Sequence, residues 1–80
     1  MDALQLKILQ NLLRTKKRVP PQHRLEAIQM GPATNYGLYQ QEGDKEGMAV
    51  MKPILDLVMK ATSVKELEQM VQQMDQKNPD

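Results

Sequence analysis

Large apolar residues recur at helical spacing along three segments of this 80-residue chain, and this periodicity predicts packed helices. The segments centre on Leu9, Ile54 and Leu67. Ser63 and Glu66 add a capping-box pattern, the most specific local pattern in the chain. We predict a single all-α domain over residues 1–80. It is a small bundle of about four helices, at residues 2–18, 21–30, 45–61 and 63–76, followed by a polar tail at 77–80.

Prolines and glycines set the expected borders of the middle helices. Val19, Pro20 and Pro21 should end the first helix, because proline disfavours helical geometry in the residue before it. Gly31 followed by Pro32 is a typical helix stop, so we expect a long loop over residues 31–43. Pro53 leaves two alternatives for the third helix, a kink within one helix or the start of a new one.

The first helix has an unusually broad apolar side. Six aliphatic residues spread over about 200° of its circumference, which suits a helix that is covered on more than one side. Either two neighbouring helices or a second chain could supply that cover. Because a chain of this size buries a limited core, we expect a homo-oligomer, most simply a dimer through the first helix.

The two parts of the chain carry opposite charge, although the formal net charge is +1. Residues 1–25 hold six basic side chains and one acidic side chain, and residues 26–80 hold five basic and nine acidic side chains. The basic part can attract an anionic partner, or the two parts can attract each other within or between molecules. Strong nucleic-acid binding is not expected from so small a net charge.

Few residues in the chain could carry chemistry. It has no cysteine and one histidine, His23, so it lacks the ligands of a zinc site and a nucleophile paired with a base. Residues 42–47 resemble the first half of a calcium loop, but Pro53 occupies the position where the bidentate glutamate should stand. We therefore expect a protein that is not an enzyme, with no catalytic residues, no metal and no cofactor.

The sequence also predicts where the chain resides. No apolar run approaches the ~20 residues that a membrane span requires, so we expect no membrane partner. The first residues lack the basic, apolar and small-residue order of a secretory signal. The absence of cysteine is compatible with a reducing compartment, and we expect a cytoplasmic location.

A protein–protein interaction module, acting as a small regulator or adaptor, is the function that we predict. Tyr36 and Tyr39 are the only aromatic residues, and aromatic residues in a loop often anchor interfaces. An inward fold of both rings, as a lid on the helices, is the alternative. The predicted partner-binding residues are Tyr36, Leu38 and Tyr39 in the loop, with Arg14, Lys16, Lys17 and Arg18 as an electrostatic contact.

Two other functions remain open from the sequence. A nucleic-acid-binding regulator would use the basic segment 14–24, because a tight turn before a polar helix start resembles a major-groove reader. Its contact residues would be Lys17, Arg18, Gln22, His23 and Arg24. Binding through so few cations would be weak, salt-sensitive and without sequence preference, with a Kd of ~10⁻⁴ to 10⁻⁶ M. The other alternative is a structural subunit of a larger assembly.

Overall fold

The computed structural model describes residues 1–77, and over these residues the chain forms four α-helices and one short 3-10 helix. The α-helices are α1 (Ala3–Thr15), α2 (Pro21–Glu42), α3 (Lys45–Lys60) and α4 (Val64–Lys77). The 3-10 helix, Lys16–Arg18, lies between α1 and α2. The predicted all-α bundle of four helices is confirmed. Of the predicted polar tail, Lys77 ends α4, and residues 78–80 lie outside the described residues.

One core holds the helices together, and each of the four contributes to it. The largest fully buried side chains are Leu9, Ile28, Ile54, Val58 and Leu67. The broad apolar side of α1 is divided among neighbours, because Leu6 and Leu9 enter this core while Ile8, Leu12 and Leu13 pack around it. Helices of the same chain therefore cover most of that surface. Self-association stays a prediction.

Side-chain caps explain where α1 and α4 begin. The Asp2 carboxylate accepts the Gln5 backbone N–H at 2.8 Å, and Gln5 Oε1 accepts the Asp2 backbone N–H at 2.9 Å. At α4, Ser63 Oγ accepts the Glu66 N–H at 3.1 Å, while the Glu66 carboxylate accepts the Thr62 hydroxyl at 2.9 Å. Both caps satisfy backbone donors that a helix start leaves without partners.

The predicted loop over residues 31–43 is wrong, because helix α2 continues through Gly31 and Pro32 to Glu42. Pro32 has no N–H for the Ile28 carbonyl, yet its ring is buried and Ile28 is fully buried. Packing along α3 outweighs this local stop pattern, since tertiary contacts supply most helical stability in proteins. The predicted second helix, 21–30, is therefore only the first part of α2.

The actual stop of α2 is Gly43. This glycine has φ 70°, in the left-handed region that favours glycine. Its N–H donates to the Gln40 carbonyl at 3.2 Å, and the next N–H, of Asp44, donates to the Tyr39 carbonyl at 2.9 Å. These two bonds satisfy the last carbonyls of the helix, as a glycine cap does. The chain then reverses into α3, where the Asp44 carboxylate accepts the Gly47 N–H at 2.9 Å.

Helix α3 is one helix from Lys45 to Lys60, so Pro53 does not start a new helix. Pro53 is exposed and so is Ala49, whose carbonyl lacks a donor from this proline. Water can therefore satisfy that carbonyl. Beside Pro53, Lys52 Nζ lies 3.3 Å from the Asp56 carboxylate, as expected for an i, i+4 pair on a solvated face.

Two glutamines tie α3 to its neighbours through side-chain amides. Gln5 Nε2 donates to the Val50 carbonyl at 3.0 Å, and Gln29 Nε2 donates to the Val58 carbonyl at 3.1 Å. Gln5 is only 7% exposed, and its own carbonyl oxygen is occupied by the α1 cap. These bonds hold both α1 and α2 against α3.

Candidate functional site

The basic segment forms a cluster where α1 ends. Arg14, Lys16, Lys17 and Arg18 follow one another through the last turn of α1 and the 3-10 helix. Arg14 Nη2 donates to Asn11 Oδ1 at 3.0 Å. No member of this cationic cluster forms an ion pair with any residue in 1–77. Its charge is therefore available to an anionic partner.

Arg24 has a structural task within the same region. Its guanidinium donates to the Val19 carbonyl at 3.0 and 3.2 Å and to the Lys17 carbonyl at 3.0 Å. These bonds hold the turn between α1 and α2. Gln22 and His23 lie exposed in the first turn of α2. Among the five residues predicted for the nucleic-acid alternative, Arg24 therefore already uses its guanidinium in hydrogen bonds to the backbone of its own chain.

The three predicted anchor residues of the loop lie instead on α2. Tyr36 and Tyr39 are half-buried and pack against the core, and Lys52 Nζ lies 5.7 Å from the centroid of the Tyr36 ring. Leu38 points elsewhere and is 49% exposed. This arrangement corresponds to the alternative in which the rings cover the helices. A role of these residues in partner binding stays a prediction.

The anchor residues and the cationic cluster lie at opposite ends of α2. Tyr36 stands about 22 Å along the helix axis from Pro21, given a rise of about 1.5 Å per residue. The cluster adjoins the Pro21 end through the turn that Arg24 holds. The two predicted contact sets therefore lie apart, one toward each end of α2.

An apolar groove opens between α1 and α2 and has a volume of about 160 Å³. The α1 wall consists of Ile8, Asn11, Leu12 and Thr15. The rest of the lining consists of Gly31, Pro32, Asn35 and Met51. None of these side chains carries a charge. A Cβ built on Gly31 would lie 3.5 Å from Leu12 Cδ1, which is an ordinary van der Waals contact.

The groove has a different character at each end. Leu4 precedes Ile8 by one turn of α1, and Leu38 follows Asn35 by about one turn of α2. These two leucines are 59% and 49% exposed, and they are not among the residues that line the groove. At the other end, Thr15 also lines a cleft with Arg14 and Arg18. Apolar side chains thus lie at the end away from the α1–α2 turn, and cations lie at the turn.

A second hollow, between α1 and α4, is larger, at about 410 Å³, but has different chemistry. Leu13 and Val71 form part of its lining, and the rest consists of the charged side chains of Arg14, Lys17 and Glu68 and the amides of Gln10 and Gln72. Such groups are well hydrated, so displacing water from them yields little binding free energy. We therefore take the apolar groove between α1 and α2 as the candidate site.

Sequence reasoning missed the α2 wall of this groove because the residues that form it were expected in a loop. The α1 wall was partly indicated. The broad apolar side of α1 predicted that other helices or a second chain would cover it on more than one side. At the groove, the other helices leave part of that side uncovered.

Within residues 1–77, no three His, Cys, Asp or Glu side chains lie close enough together to hold a metal ion. No helix among those residues is both long and apolar enough to span a bilayer. Comparison with protein-family models, with curated proteins and with solved structures gave no match to this chain.

Proposed function

We propose that this chain is a non-catalytic protein-interaction module, which acts as a small regulator or adaptor by binding a partner protein in the groove between α1 and α2. The observation that supports this function is the groove itself, an uncharged apolar hollow open at the surface. Its volume of about 160 Å³ is close to that of the ~150 Å³ apolar cavity known to hold benzene. One large apolar side chain of a partner therefore fits.

One anchored side chain is not enough for stable binding. Burying a Leu or Phe side chain contributes about 1.5–3 kcal/mol, whereas micromolar affinity requires about 8 kcal/mol. The remainder must come from surface around the groove. Leu4 and Leu38 supply apolar contact at one end, and the cationic cluster supplies attraction at the other.

Filling the groove should abolish partner capture, and α2 offers a matched pair of glycines for this experiment. A side chain at Gly31 enters the groove, with ordinary van der Waals contact at its Cβ, while a Cβ at Gly37 meets nothing within 4 Å. Both substitutions remove a glycine from a helix interior, which favours folding by about 1 kcal/mol. We expect Gly31→Leu to reduce partner capture from the native host at least tenfold. Gly37→Leu should retain it.

The measurement is quantitative affinity capture followed by mass spectrometry, with and without nuclease. Circular dichroism first shows that both variants are folded. The proposal is supported if a captured protein is lost with the Gly31→Leu variant and retained with the Gly37→Leu variant. Its capture should not change when nuclease is added. Partners that disappear with nuclease and persist with Gly31→Leu would contradict it and favour the nucleic-acid alternative, through Lys17, Arg18, Gln22 and His23.

A further inference from the structure

We infer that the segment bound in the groove is an amphipathic helix of the partner protein, with a large apolar anchor and carboxylates at one end. This inference rests on the proposed function and specifies the partner's chemistry. The apolar anchor enters the groove and packs against its α1 and α2 walls. The carboxylates lie over the adjoining cleft, against Arg14 and Arg18 of the cationic cluster.

Charge complementarity selects the acidic end. Thr15 lines both the groove and the cleft of Arg14 and Arg18, so the apolar surface leads directly to the cations. Within residues 1–77 those cations form no ion pair, although Glu68 shares the α1–α4 hollow with Arg14 and Lys17, and the groove walls carry no charge. A partner with carboxylates beyond its apolar anchor gains attraction at one end without placing a charge in the groove. A partner with lysines there is repelled.

The walls of the groove select a helix. The described part of the chain, 1–77, contains no strand that could pair with an extended peptide. The lining also lacks the aromatic side chains on which proline-rich segments dock. Of the common recognition modes, a helix lying between two helices therefore fits best. From Leu4 to Thr15 the α1 wall measures about 16 Å, so about three turns of a partner helix lie against it.

Two synthetic peptides test this inference. Each is a helix-stabilised 14-residue peptide with leucines at positions i, i+4 and i+7 and glutamine elsewhere. One carries three glutamates at one end, and the other carries three lysines in their place. Fluorescence anisotropy measures the Kd of each for the full chain at low and at physiological salt. We expect the acidic peptide to bind about tenfold tighter at low salt, with a smaller difference at higher salt.

Protein variants locate the binding. Arg14→Glu combined with Arg18→Glu should weaken the acidic peptide about tenfold, and Gly31→Leu should weaken both peptides. The matched control is Lys45→Glu combined with Lys65→Glu, which makes the same change of charge at exposed positions outside the groove and its cleft. That control should leave the Kd within about twofold, because salt screens distant exposed charges. Circular dichroism confirms that each variant is folded.

Each contrary outcome has a distinct meaning. Equal binding of both peptides, sensitive to Gly31→Leu, would overturn the acidic preference and leave the groove as the site. Equal weakening by the control pair would show attraction to net charge only and would also overturn it. Absence of binding by either peptide would reject the helical occupant, while the capture experiment still tests the module. A dimer in light scattering that Gly31→Leu converts to monomer would assign the groove to a second copy and overturn the inference.

Discussion

Leu9→Asp is expected to unfold the chain, whereas Leu4→Asp is expected to leave it folded. Leu9 is 0% exposed and Leu4 is 59% exposed, although both lie on α1. Removing a buried leucine costs about 2–5 kcal/mol, and an unpaired carboxylate in the core adds a desolvation penalty. Small domains are stable by about 5–15 kcal/mol in total, so the Leu9 variant has little or no margin left.

Far-UV circular dichroism and thermal denaturation of the two variants measure this difference. Leu4→Asp is the matched control, since it places the same carboxylate on the same helix in contact with water. If Leu9→Asp stayed fully helical and merely changed a dimer into a monomer in light scattering, Leu9 would belong to a contact between chains. That result would contradict a core shared by the four helices of one chain.

Replacing both tyrosines of α2 by alanine should lower the free energy of unfolding by about 3 kcal/mol, because large-to-small changes remove packing. Tyr36 and Tyr39 pack against the core, and the Tyr39 ring lies directly over Gly47 of α3. Urea denaturation measures the loss. A Tyr36→Ala, Tyr39→Ala variant with an unchanged melting temperature and no partner capture would instead identify the rings as interface anchors.

Gly47→Ala provides an independent check on the same contact. A Cβ at Gly47 would lie 2.5 Å from Tyr39 Cδ1, so the ring must move, and overpacking of this kind costs about 1–3 kcal/mol. Gly37→Ala is the matched control and should stabilise by about 0.5–1 kcal/mol, since only the helix propensity changes there. In a Tyr39→Ala background, Gly47→Ala should cease to destabilise. Persistent destabilisation would place its cause elsewhere.

Much of the fold could be predicted because it is encoded in short stretches of sequence. Apolar spacing identified α1, α3 and α4, and α4 begins at the Ser63–Glu66 cap that the sequence indicated. A cap depends on residues three or four positions apart, which are visible without tertiary structure. The cationic cluster was equally visible, since its members are consecutive.

The extent of α2 could not be predicted, because it depends on residues far away in the sequence. Gly31 and Pro32 together match a helix stop, and no local residue shows that burial of Pro32 and contact of Tyr39 with Gly47 outweigh it. The same error concealed the groove, since one of its walls is the part of α2 beyond Met30. Arg24 is a similar case: its charge resembles a ligand contact, yet three hydrogen bonds hold it to the turn.

Both functional proposals require residues 31–42 to be helical. The backbone conformation of these residues is therefore the most direct test of the account. ¹³Cα chemical shifts from a labelled sample report helix or coil at each residue. Continuous helical shifts from Gly31 to Glu42, ending at Gly43, are the expected result. Coil shifts over these residues would contradict the structure, because the groove between α1 and α2 would then have only one wall.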